Sequence, residues 1–210
     1  MRSLRRRRPP YKLLSVLLQY PDDRLLEALP ALGEAVDGLP PPQRRALDRF
    51  LAYLAGSEAL ALRQAYVETF DLQRRASLHL TYFTHGDTRR RGTALLALRR
   101  RYAAAGLTLA AGELPDYLPV MLEFADMAPP GLGERLLAEH RTGLELLRLA
   151  LRESHSPYLE LLDTVCSALP SPALEELDAV RRLVTEGPPS EQVGLRPFAP
   201  PEVMPVEARR

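Results

Sequence analysis

The sequence predicts an all-α, single-domain helical bundle of about nine helices. Three observations carry this: apolar residues recur at helical spacing along most of the chain, β-branched runs able to form strands are absent, and Pro, Gly and Ser punctuate the periodic segments at short intervals. The chain has 210 residues. A domain of that size buries roughly 70% of the surface its unfolded chain exposes, which is enough for one substantial core.

The elements follow in order. A first helix is expected over residues 11–20 and a second over 22–36, with Pro30 as a kink point. Pro40, Pro41 and Pro42 open a third, which runs through Leu54. Ser57 then has the position and chemistry to N-cap a helix reaching Phe70. Periodicity loosens over 71–86, with a short helix expected around 77–83. Asp87 or Thr88 caps the next helix, whose Leu95, Leu98 and Tyr102 form one stripe, and Gly106 is placed to end it in the left-handed region. Asp116 is positioned to N-cap a helix to Met127. A long helix then extends to about Glu153, its stripe made by Leu132, Leu136, Leu137, Leu144, Leu147 and Leu151. Ser156-Pro157 and Ser171-Pro172 read as N-cap Ser with Pro at N1, opening helices to Leu169 and Glu186. Residues 1–10 read as a disordered basic arm, 11–187 as the folded domain and 188–210 as a Pro-rich disordered tail.

Charge and cysteine usage limit the function classes. With 28 basic and 27 acidic side chains the formal charge is +1, so no global field recruits nucleic acid or membrane. The basic start superficially resembles a secretory n-region, but the apolar run of residues 13–18 is too short and lacks a small-residue cleavage site. No stretch approaches the ~20 apolar residues of a membrane-spanning helix. Cys166 is the sole cysteine, which excludes an intrachain disulfide and a one-chain thiolate cluster, and points to a reducing compartment, the cytoplasm.

The search for catalytic patterns returns none. His79, His85, His140 and His155 lack the i, i+4 spacing of a helical metal pair. Cys166 sits among Leu161, Leu162, Val165 and Leu169 and reads as a buried, inert thiol. Gly131-Leu132-Gly133 has no preceding strand and no third glycine, and no P-loop or Gly-x-Ser-x-Gly elbow occurs. The reading is a non-enzyme without metal or cofactor.

Three neighbouring pieces depart from helix filler: Tyr66-Val67-Glu68-Thr69-Phe70-Asp71, residues 80–92 (LTYFTHGDTRRRG), and residues 113–124 (ELPDYLPVMLEF). In the third, Asp116, Glu123 and Asp126 fall within about 80° of one another on a helical wheel, beside Tyr117, Val120, Met121 and Phe124. Two readings fit these residues. One is an acidic edge beside an apolar, Met-containing groove suited to a basic amphipathic peptide. The other is an ordinary helix with one solvated and one buried face, with Tyr66 and Phe70 in the core. The three arginines read either as an anion site or as a solvated set pairing Asp71, Asp87 and Glu113.

Taken together in that order, the three pieces resemble the NarJ family, nitrate reductase molybdenum cofactor assembly chaperones within the all-helical TorD/DmsD group of redox-enzyme maturation proteins. The resemblance covers residues 11–186. It implies a TorD-like fold and a cytoplasmic chaperone that binds the apo, molybdenum-containing catalytic subunit of a respiratory nitrate reductase, partly through a twin-arginine-like N-terminal leader. The client would be kept competent for cofactor insertion until it docks on the membrane, with no metal held by the chaperone itself. The family's Pro-Asp-His pattern falls on Pro115, Asp116 and Tyr117, with Tyr in place of the His. On this reading the client-peptide contacts are Tyr66, Phe70, Tyr82, Asp116, Tyr117, Met121 and Glu123, while Asp87 and Arg90 hold the central loop. Three rivals are a sibling chaperone for a selenate, chlorate or dimethyl sulfoxide reductase, a nucleic-acid-binding module using the basic arm, and a small enzyme centred on His79, His85 and Asp87.

Overall fold

The computed structural model describes residues 9–190. The basic arm before residue 9 and the tail beyond residue 190 lie outside the described residues. The elements are α1 (Tyr11–Leu17), α2 (Asp23–Glu27), α3 (Leu29–Asp37), α4 (Pro41–Ala55), α5 (Ala59–Tyr66), a π-helical turn (Val67–Asp71), a 3-10 turn (Arg74–Ala76), α6 (Leu80–His85), α7 (Arg89–Ala104), α8 (Leu118–Met127), α9 (Leu132–Glu139), α10 (Arg141–Glu153), α11 (Leu159–Ala168) and α12 (Leu174–Glu186).

Helix α8 is the axis of the fold. Leu118, Pro119, Val120, Met121, Leu122, Phe124 and Ala125 are all buried, so this helix is apolar nearly all round, as a central core helix must be. It packs between α1 and α9. Gly133 of α9 permits the second contact: a Cβ there would stand 2.2 Å from the Ala125 Cα. Helix α10 forms a second hub against α6, the 3-10 turn, α11 and α12. Its Leu144, Leu147 and Leu151 are fully buried, as the stripe predicts.

Several ends match their sequence signals. Asp22 caps α2, its Oδ1 accepting the Leu25 N–H at 2.8 Å. Gly106 adopts φ +78° and ends α7 in a Schellman motif, with Leu107 N–H donating to the Tyr102 carbonyl (2.9 Å) and Gly106 N–H to Ala103 (2.9 Å). Others differ. The 22–36 helix divides at Ala28, with Pro30 in the first turn of α3. Ser57 donates back to the Tyr53 carbonyl instead of capping α5, and the chain reaches Phe70 through the wider π turn. The expected 132–153 helix breaks at His140, whose φ of −103° and ψ of 20° lie outside helical values. Neither Ser156 nor Ser171 caps a helix: α11 starts at Leu159, and α12 is opened by Glu176, whose carboxylate accepts the Ala173 N–H at 2.7 Å.

Candidate functional site

The loose segment after Phe70 is tied to the start of α8 by an antiparallel bridge between His79 and Tyr117. Leu80 N–H donates to the Asp116 carbonyl (3.0 Å) and Leu118 N–H to Leu78 (2.8 Å). The bridge points the Asp116 side chain inward, where it is wholly buried. Its Oδ1 lies 3.1 Å from His79 Nδ1, and its Oδ2 accepts the Thr81 hydroxyl (2.5 Å) and Arg91 Nη2 (3.3 Å). Arg91 also reaches Asp87 at 3.6 Å, one helical turn back. Burial pushes the Asp116 carboxyl up, but the His79 and Thr81 hydrogen bonds and the His79 and Arg91 charges outweigh it. The carboxyl is therefore held below the usual carboxylate range. Next to it, Tyr102 donates to the Pro115 carbonyl at 2.6 Å, fixing the loop that carries Asp116.

An aromatic cluster adjoins this node. The Tyr66 hydroxyl donates to the Leu18 carbonyl (3.1 Å) and lies 3.3 Å from the Tyr117 hydroxyl. Its ring packs on Phe70, Tyr158 and Tyr20 at centroid distances of 4.8, 5.8 and 5.4 Å. Burial, with Tyr117 beside it, drives the Tyr66 phenol far above its ordinary value, so it acts only as a neutral hydrogen-bonding group.

These positions correct the acidic-edge picture. Asp116 precedes α8 rather than capping or lining it, and both Asp116 and Met121 are 0% exposed. Tyr66 and Phe70 are core residues. Glu123 stays near the surface and pairs with Lys12 of α1. Tyr117 is half-buried beneath His79, their rings 5.3 Å apart. Arg91, rather than Arg90, is the arginine that reaches Asp87. His79, Thr81 and Arg91 were missed as Asp116 partners. They sit 37, 35 and 25 residues away along the chain; the bridge brings in His79 and Thr81, and the packing of α6 on α7 brings in Arg91.

Tyr82 is separate from this node. It lines a cavity of about 600 Å³ between α6 and α10, with Phe83, Leu146 and Ala150 as apolar walls and Arg74, Asp87 and Glu153 among its polar residues. The end of α12 and Pro188–Ser190 form the remaining wall, and the Pro189 carbonyl sits directly over Gly86.

Fold and node define a class. This is an all-helical scaffold in which the charged groups at the centre engage one another and position loops. Among the described residues, no three His, Cys, Asp or Glu side chains gather as a metal site, and no helix is long and apolar enough to cross a membrane. The chain belongs to the nitrate reductase delta subunit family, whose pattern matches residues 36–163. It is 34% identical to the probable nitrate reductase molybdenum cofactor assembly chaperone NarJ of Bacillus subtilis, over 70% of this chain and 81% of that protein. It is 35% identical to the Escherichia coli NarJ chaperone over 70% of this chain and 63% of that one. A segment of the nitrate reductase-like protein NarX of Mycobacterium tuberculosis is 41% identical over 148 residues, again 70% of this chain but 22% of NarX.

Proposed function

We propose that this chain is a cytoplasmic, system-specific chaperone for the apo catalytic subunit of a respiratory nitrate reductase. It binds that subunit, including its N-terminal leader, and supports molybdenum cofactor insertion before membrane docking. The observation that carries this is the match to two NarJ proteins, each named as a molybdenum cofactor assembly chaperone, across 70% of the chain.

The cavity beside Tyr82 supplies a physical route. Its size and apolar walls suit one face of an amphipathic segment, and its mixed-charge polar residues can select register. Client contact is assigned to Tyr82 in the cavity and to Tyr117 and Glu123 on the accessible side of the node. Tyr66, Phe70, Asp116 and Met121 meet the client only if α8 parts from its neighbours; otherwise they hold the frame. Removing the gene from the native cell tests the role. The catalytic subunit is expected to accumulate without molybdenum, measured by elemental analysis. A fully loaded subunit in the deletion strain contradicts the proposal, and loss of metal from a different molybdoenzyme redirects it.

A further inference from the structure

A second opening lies on the face made by α7 and α9. It measures about 290 Å³, and its apolar lining includes Phe124, Leu132, Leu136 and Ala104. Phe124 is stacked on Tyr102 at 4.6 Å, so the floor is rigid. At the rim stand Arg101 and Arg135; Arg101 is held in a two-pronged pair with Glu139, which consumes that acid. Arg135, Arg99 and Arg100 are exposed, and none has an ion-pair partner among the described residues. No acidic residue occurs in the sequence between Asp87 and Glu113, so no acid within α7 offsets the exposed Arg99 and Arg100.

We infer that this face binds an acidic peptide segment of a protein partner that inserts one bulky apolar side chain into the α7–α9 pocket. The arginine rim supplies charge complementarity, and the pocket supplies an anchor of the kind that dominates protein interfaces. A nucleic-acid backbone would meet the arginines but leave the apolar pocket empty. A basic leader would be repelled, so this surface is distinct from the client-leader contact proposed above and does not depend on it.

The probe is a fluorescein-labelled Glu-Glu-Asp-Phe-Glu-Glu peptide, followed by anisotropy against the full chain at physiological salt. Ala104→Trp, which fills the pocket, and Arg135→Glu are each expected to weaken binding about tenfold or more. Replacing the peptide's phenylalanine with alanine is expected to do the same. Arg90→Glu, about 21 Å away along α7, is expected to change little because charge is screened over that distance. Circular dichroism checks folding; if Ala104→Trp misfolds, Arg135→Glu and the alanine peptide decide. Absence of binding, equal affinity across variants, or equal binding of duplex DNA or anionic vesicles that is lost with Arg90→Glu would overturn the inference.

Discussion

Replacing Asp116 with alanine removes a wholly buried carboxylate and leaves the Thr81 hydroxyl, His79 and Arg91 without their shared acceptor. Losing one member of a buried charge pair costs about 3–5 kcal/mol, and a single hydrogen bond to a charged group contributes about 1.5–3 kcal/mol. The Arg91 side chain keeps 20% exposure, so water recovers part of the loss and the expectation is about 3 kcal/mol. In a domain of this size each kcal/mol lowers Tm by about 2–4 °C, giving a drop of ~6–12 °C at pH 7. The pH dependence has a definite sign. Because the folded carboxyl titrates below its ordinary value of 3.8, its stabilisation is complete above that value and is lost as pH falls through the folded pKa. The gap between wild type and Asp116→Ala, followed by circular dichroism melts, should therefore be constant near neutrality and close on acidification below about pH 4. A drop under about 2 °C at pH 7, or a gap unchanged to pH 3, would refute the account of the node.

Other substitutions test the packing. Gly133→Ala forces a Cβ against the Ala125 backbone and should destabilise by about 1–3 kcal/mol in urea titration. Gly92→Ala, on the exposed face of α7 with nothing within 4 Å, should stabilise by about 0.5–1 kcal/mol. Gly86→Ala meets both a positive φ of 56° and the Pro189 carbonyl, so residues 187–190 should lift and become faster sites of limited proteolysis. Burial pushes the Cys166 thiol up to about 11, so iodoacetamide at pH 8 should label the native chain far more slowly than the urea-unfolded chain.

Much of the architecture was legible because periodicity reports burial. Leu98 and Tyr102 are buried as the α7 stripe predicts, and Gly106 takes the left-handed conformation its position signals. Cys166 is buried among its leucines, as its neighbours suggest. What failed was local capping chemistry and long-range pairing. Ser156-Pro157 carries the right residue types, yet the chain there makes a turn before α11 begins. The break at His140 is invisible in the leucine stripe, since Leu137 and Leu144 are buried on either side of it. Asp116 does not share the helical wheel of Glu123 and Asp126, because the bridge between His79 and Tyr117 holds it outside α8. The three unusual pieces do converge, but as an interlocked core rather than an open edge.

The central claim is that this chain binds an apo catalytic subunit. Isothermal calorimetry with the purified, cofactor-free nitrate reductase catalytic subunit, alongside the cofactor-loaded form and a leader-deleted apo form, tests it most directly. The account predicts saturable binding of the apo subunit, weaker binding after leader deletion and little binding of the loaded form. Equal heats for apo and loaded subunits, or none for either, would contradict it.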